Sequence, residues 1–237
     1  MIDYRTILND EITLSIGEPD FTTPWHVRQE GIKSLEDGKT WYSPNRGFIE
    51  LREEICKWLK RHYHIEYEPK TDIVVTVGGS EAIDLCIRCL VNPGDEVLIP
   101  EPCFVCYKPL TEMAEGVPVT IQTKQEDNFR LTAKALREKI TPKSKLLILP
   151  FPNNPTGAVM RRKDLEEIYS ELTYGETRHV SISSIEGMKE RTVVINGFSK
   201  AFAMTGWRLG YAVGPKEIIK QMTKLHQYGI MSAPTMA

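Results

Sequence analysis

Lys200 stands eight residues before Arg208 in the stretch NGFSKAFAMTGWRLG (196–210), directly after the β-branched run Thr192-Val-Val-Ile195. Such a run predicts a buried strand, and open α/β sheets place their ligands at the C-terminal ends of strands. Lys200 is therefore expected where chemistry is done. Ala201, Phe202, Ala203 and Met204 form an apolar collar expected to desolvate the ammonium, lower its pKa and favour the neutral amine that attacks a carbonyl. Arg208 offers the planar fork that suits a phosphate. A lysine nucleophile with a phosphate-binding arginine asks for an aldehyde with a phosphate tail, and pyridoxal phosphate answers that description.

The surrounding elements must bring the other chemistry-bearing residues to Lys200. The strand-like run Asp72–Val77 leads through Gly78-Gly79-Ser80-Glu81-Ala82 into a helical pattern, which sets free N–H groups and a positive helix end beside a glycine-shaped gap. That is an anion site able to hold a phosphate. Ile12–Ile16 reads as a strand, Gly17–Asp20 as the turn after it, and Pro24 opens a helix that Gly38 stops. Lys39–Gly47 is a loop carrying Trp41 and Tyr42, followed by an amphipathic helix over Gly47–Tyr63. Further strands are expected at Asp95–Pro100, Val117–Gln122, Lys145–Leu149 and Leu209–Val213. Further helices are expected from near Pro102, at about Thr132–Ile140, over Arg161–Ile168 and from Pro215 to about Gln227. Phe104 follows one strand end, and Asn154 in FPNNPTG (151–157) follows another. The alternation gives an α/β protein with a mostly parallel sheet flanked by helices.

Taken together, SKAFAMTGWRLG, LSIGEPDF, YSPNRG, GGSEA and NNPTG resemble the class I/II, fold type I, pyridoxal-phosphate-dependent aminotransferases, over about residues 11–237. The resemblance implies a large domain of the pyridoxal-phosphate transferase type over 41–237, preceded by an N-terminal segment over 1–40. It implies transfer of an amino group between an L-amino acid and a 2-oxo acid. On this resemblance Lys200 bonds the cofactor and then shuttles the proton, while Gly79, Ser80, Glu81 and Arg208 hold the phosphate. Tyr42 would reach the phosphate of the neighbouring subunit in a homodimer. Phe104 would stack on the pyridine ring, Asn154 and Tyr169 would tune the phenolic oxygen, and the Gly17 backbone would face the substrate carboxylate. The same apparatus serves lyases and decarboxylative condensations, so the reaction type rests on analogy.

Two departures stand against that pattern. The family follows N-N-P-T-G with a helix, a strand and a D-E-x-Y element, whereas here Arg161–Ile168 passes straight into EIYSELTY (167–174). About sixteen residues, most of a helix and one sheet strand, are expected to be missing near 166–169, by usual element lengths. Tyr169 aligns with the motif's tyrosine, and Glu166 falls where the family has the aspartate that pairs with the pyridine nitrogen. The missing strand belongs mid-sheet, between those ending at Leu149 and Ile195, and its loss leaves two ladders unpaired unless Ile168–Tyr174 fills the place. Most of the C-terminal small domain, with the arginine that clamps the substrate carboxylate, also lacks a counterpart. The alternative to an active enzyme is a truncated, impaired relative that binds cofactor or serves as an interaction domain.

Composition sets the outer limits. Basic residues number 30 against 32 acidic and are scattered, so no nucleic-acid partner is expected. No stretch approaches a membrane span, and MIDYRTILNDE lacks a basic start followed by an apolar run, so the expected location is cytoplasmic. Five cysteines, an odd count, argue against a disulfide framework. Cys86/Cys89 and Cys103/Cys106 form two C-x-x-C pairs that raise a zinc reading. The first pair lies in a helical pattern and no glycine shapes a knuckle, so all four read as core or helix-face residues, with no metal. His62 and His64 read as exposed helix-end residues.

Overall fold

The computed structural model describes residues 17–161, 163–165, 167–168, 182–184 and 187–237. The expected strand at Ile12–Ile16, and the positions of Glu166 and Tyr169, lie outside the described residues.

Among the described residues, six strands and six helices have both ends defined. In chain order they are α1 (Trp25–Glu36), α2 (Ile49–Tyr63), β1 (Ile73–Val77), α3 (Gly78–Leu90), β2 (Glu96–Glu101), α4 (Tyr107–Met113), β3 (Val117–Gln122), α5 (Ala133–Arg137), β4 (Ser144–Leu147), β5 (Val194–Gly197), β6 (Leu209–Val213) and α6 (Lys216–Gly229). The strands form two three-stranded sheets, ordered β1-β6-β5 and β3-β2-β4. In the second, β2 pairs with both neighbours in parallel. In the first, β6 runs antiparallel to β1 and to β5, so those two run parallel to each other across it. The second sheet is thus parallel, as expected, and in the first the single reversed strand β6 makes both pairings antiparallel. Among the described residues no strand joins β4 to β5, the interval where the sequence predicts a missing strand. Ile168 does not fill that place: it is helical and packs with Leu98, Ile121, Leu131 and Leu136.

Alternation along β1 decides which helices cover the first sheet. Ile73 joins Tyr211 and Val213 against Ile55, Cys56 and Leu59 of α2. Val74, pointing the other way, joins Ala212 against Ala82, Leu85 and Cys86 of α3 and Ile219 and Met222 of α6. Both faces are therefore covered, and every residue of β6 is buried. Full burial of a side chain such as Leu209 or Val213 contributes about 1.5–3 kcal/mol. By contrast α1 has no buried residue.

Three expected boundaries shift. The helix placed near Pro102 begins at Tyr107, so Phe104 lies on a loop. The helix expected to follow the Gly78–Ala82 run begins at Gly78 itself, so both glycines form its first turn. The helix at Thr132–Ile140 is limited to Ala133–Arg137, with the Thr132 hydroxyl accepting from the Ala135 N–H at 3.2 Å. As read from the sequence, Cys86 and Cys89 lie on α3 against the core, and burial pushes their thiols up to about 12 and about 11. Cys103 and Cys106 pack beside Ile87 and Tyr107. His62 and His64 are exposed at the end of α2.

Candidate active site

The strongest local construction is where α3 meets the turn between β5 and β6. Gly78 has φ +74° and Arg208 φ +57°. A Cβ on Gly78 would lie 2.5 Å from Arg208 Nη2, so the guanidinium rests against the bare face of that glycine. A Cβ on Gly210 would lie 2.6 Å from the carbonyl carbon of Gly78 and 2.7 Å from the nitrogen of Gly79. Only glycine lets β6 approach the first turn of α3 this closely. The buried Thr76 hydroxyl donates to the Gly78 carbonyl at 2.9 Å, and Arg208 Nη1 donates to the Thr205 carbonyl at 3.0 Å. The first-turn N–H groups of a helix have no carbonyl of their own helix to bond. Here they sit beside an exposed guanidinium, and the pairing suits a phosphate dianion.

The Glu81 side chain is held inward, which leaves its backbone as the part available to the phosphate contact expected of it. Its carboxylate accepts the Val77 N–H at 2.5 Å and faces His226 Nδ1 at 2.7 Å. Of the expected phosphate-loop residues, Gly79 and Ser80 sit on the first turn of α3, whereas the Glu81 side chain is turned into the protein.

Lys200 lies beyond the C-terminal end of β5, and its ammonium donates to the carbonyl of Gly17. The two residues expected to meet the substrate are thereby brought together. The segment after Gly17 is tied to the lysine loop twice more: the Thr23 hydroxyl donates to the Ala203 carbonyl at 2.5 Å, and Trp207 Nε1 donates to the Thr23 hydroxyl at 3.1 Å. The apolar collar does not form as expected. Lys200 is exposed and Phe202 keeps 44 % of its surface in solvent, while Met204 alone of the four is buried. A run of apolar residues in a tight turn points in several directions, so adjacency in sequence does not become enclosure.

The remaining predicted residues are placed but not joined to Lys200. Phe104 is 36 % exposed and meets Tyr107 edge-on at 6.1 Å. Asn154 is exposed. The buried residue of that pair is Asn153, whose Nδ2 donates to the Pro102 carbonyl at 3.2 Å and whose Oδ1 accepts from the Thr156 hydroxyl at 2.8 Å. Asn153 therefore fastens the loop bearing Asn154 to the loop bearing Phe104. Tyr42 does not pack its own loop, being 75 % exposed. That loop is instead held by the C-terminal segment: Ser43 Oγ donates to the Ala233 carbonyl at 3.0 Å and Asn45 Nδ2 to the Met231 carbonyl at 2.9 Å. Among the described residues no hydrogen bond or ion pair links Tyr42, Phe104 or Asn154 to Lys200, and no group of three His, Cys, Asp or Glu residues could hold a metal ion.

Sequence reasoning missed Thr23, Asn153 and His226. The spacing of Ile219, Met222 and His226 marks one buried helix face and would have found the last. Nothing local distinguishes Asn153 from Asn154.

A lysine past a strand end, a glycine-packed helix terminus and an arginine at its mouth, on a two-sided α/β sheet, set out the architecture of the fold type I transferases. Residues 9–237 match the family described as aminotransferase class I and II, and the chain belongs to that family. It is 46 % identical to the Bacillus subtilis protein YugH over 99 % of this chain and 65 % of YugH. It is 43 % identical to an aspartate aminotransferase of Pyrococcus abyssi, over 96 % of this chain and 63 % of that protein. The crystal structure of an aromatic aminotransferase from Pyrococcus horikoshii matches with TM-score 0.91 at 43 % identity, over 98 % of this chain and 66 % of that one. The chain thus spans about two thirds of the length of these relatives. The YugH match runs over 251 positions although this chain has 237 residues, so at least fourteen positions there face a gap in this chain.

Proposed function

We propose that the chain binds pyridoxal phosphate and carries the cofactor-binding half of an enzyme that moves an amino group between an L-amino acid and a 2-oxo acid. The observation that carries this reading is the seating of Arg208 against Gly78 at the first turn of α3, in the same short segment as Lys200. When bound, pyridoxal phosphate supplies an aldehyde and an electron-accepting ring. The chain's own residues do the rest. The Gly79–Ser80 turn and Arg208 hold the phosphate, and Lys200 offers its amine to the aldehyde and then carries a proton at Nζ. Phe104 offers a flat face to the ring and shields it from water, Asn154 offers an amide to its phenolic oxygen, and Tyr169 belongs to the same role. Gly17, already at Lys200 Nζ, presents backbone to the substrate.

The reading includes a homodimer. Phe21, Trp25, Trp41 and Tyr42 are each more than half exposed, and such apolar area on one segment fits contact with a second copy, into whose site Tyr42 would extend. Five free thiols fit a reducing, cytoplasmic setting. Among the described residues no helix is long and apolar enough to cross a membrane. A narrower reading, cofactor binding without turnover, is favoured by one observation: the positions without counterpart in this chain, which we place near 166–169 where β4 and β5 lack a strand between them. Supplying the protein with pyridoxal phosphate and aspartate, phenylalanine or glutamate separates the two. Stoichiometric 2-oxo acid supports the transferase, and cofactor uptake without 2-oxo acid supports the narrower reading. Absence of uptake would contradict both.

A further inference from the structure

We infer that His226 is a positioning residue for the phosphate end of the site, acting through Glu81 on the first turn of α3; the inference rests on the phosphate reading of that turn. His226 is fully buried, and its Nδ1 lies 2.7 Å from Glu81 Oε1. The other carboxylate oxygen of Glu81 accepts the Val77 N–H at 2.5 Å, at the residue that caps α3. His226 Nε2 is buried with no hydrogen-bond partner among the described residues. A bare nitrogen suits that side of the ring, so Nδ1 carries the hydrogen and donates it to the carboxylate. The imidazole is set there by α6, whose buried face of Ile219, Met222 and His226 packs on α3 and β1.

This arrangement answers an electrostatic difficulty. A carboxylate four residues past the strand end, on the turn offered to a phosphate, would repel that phosphate if it swung outward. Tied inward between His226 and the Val77 N–H, Glu81 leaves its side-chain surface only 11 % exposed. Removing the imidazole N–H strands a buried carboxylate, whose nearest relief is rotation toward solvent at the mouth of the turn. The N–H groups of Gly79 and Ser80 then face a rival anion, and the strand-to-helix junction at Val77 loses its clamp. Neither His226 nor the Glu81 carboxylate needs to touch the ligand for this to hold.

The test compares wild type, H226L and H226N by titration with pyridoxal phosphate and with pyridoxal, which lacks the phosphate. Asparagine places an amide N–H near the position of Nδ1; leucine fills volume without a donor. The expected result is that H226L weakens pyridoxal phosphate by about tenfold or more, leaves pyridoxal within about twofold, and that H226N recovers most of the loss. A purely structural role would weaken both ligands alike, and that outcome, or an H226N no better than H226L, overturns the inference. If H226L does not fold, H226M fills the same volume and carries the same expectations. Amide hydrogen exchange across Val74–Leu85 gives a readout without cofactor: Val77–Ser80 should exchange faster in H226L while the rest of β1 does not change. Should wild type bind no pyridoxal phosphate, the phosphate reading falls, and unchanged exchange at Val77–Ser80 would overturn the His226 inference separately.

Discussion

On the proposed reading, the phosphate end and the ring end of the site are built in different ways. The phosphate end is backbone against backbone: Gly78 and Gly79 against Gly210, Arg208 against the face of Gly78, and Thr76 and Glu81 stitching the junction. Its parts come from β1, α3 and β6, which belong to one hydrogen-bonded sheet and the helix packed on it. The ring end is assembled from loops: Phe104 after β2, Asn154 after β4, Lys200 after β5 and Tyr42 before α2, three of them exposed and Phe104 partly so. The turn proposed to hold the phosphate therefore belongs to one cooperative unit. The ring needs several units brought to register, including the interval between β4 and β5 and, on the proposed reading, a second subunit.

The sharpest way to break this contrast is G210A. The added methyl meets backbone atoms at 2.6 and 2.7 Å, which no rotamer change relieves. Overpacking of this kind costs about 1–3 kcal/mol, and the expected result is a lowered denaturation midpoint together with loss of the phosphate-dependent part of pyridoxal phosphate affinity. Wild-type behaviour in both would show that the close approach is dispensable.

The next effect separates the paired asparagines. N153A should cost about 1–3 kcal/mol in urea denaturation, because it removes the buried side chain that bonds both the Pro102 carbonyl and the Thr156 hydroxyl, at about 0.5–1.5 kcal/mol for each hydrogen bond. N154A, at an exposed position, should change stability by less than about 0.5 kcal/mol while weakening the cofactor. The reverse order of stabilities would contradict the roles given to them.

The smallest effect concerns the anchorage of the Phe104 loop to β2. A hydrogen bond from the Lys108 ammonium, outweighing desolvation and helped by Gln122, holds the Glu101 carboxyl below its ordinary 4.5. A depressed folded value means that the unfolded chain takes up the proton first. The pair's contribution is therefore complete above the ordinary carboxylate range and is lost as pH falls through the folded value. Denaturation from pH about 6 to about 3 should show wild type losing its advantage over E101Q as pH falls; a difference independent of pH would contradict this assignment.

What the sequence discloses follows the same division. The turn proposed for the phosphate is legible because Gly78, Gly79 and Arg208 write their backbone demands locally. The helices and strands that carry it follow from β-branched runs and apolar spacing, with shifts of boundary such as α4 starting at Tyr107. The inward turn of Glu81 is not legible, because its partner His226 lies 145 positions away and meets it only through the packing of α6 on α3. The collar around Lys200 misled for the converse reason: burial of Phe202 depends on what lies opposite the turn, and residues 201–204 do not contain that information. Asn153 and Asn154 are chemically identical, and only the path of the chain after β4 buries one and exposes the other.

The central claim is that Lys200 and the turn at Gly78–Ser80 serve one bound pyridoxal phosphate. The most direct measurement is borohydride reduction of the protein equilibrated with pyridoxal phosphate, followed by peptide mass mapping. The account predicts one dominant pyridoxyl adduct, on Lys200, that G210A suppresses. Adducts spread over exposed lysines such as Lys57, Lys60 and Lys163, or a Lys200 adduct indifferent to G210A, would contradict it.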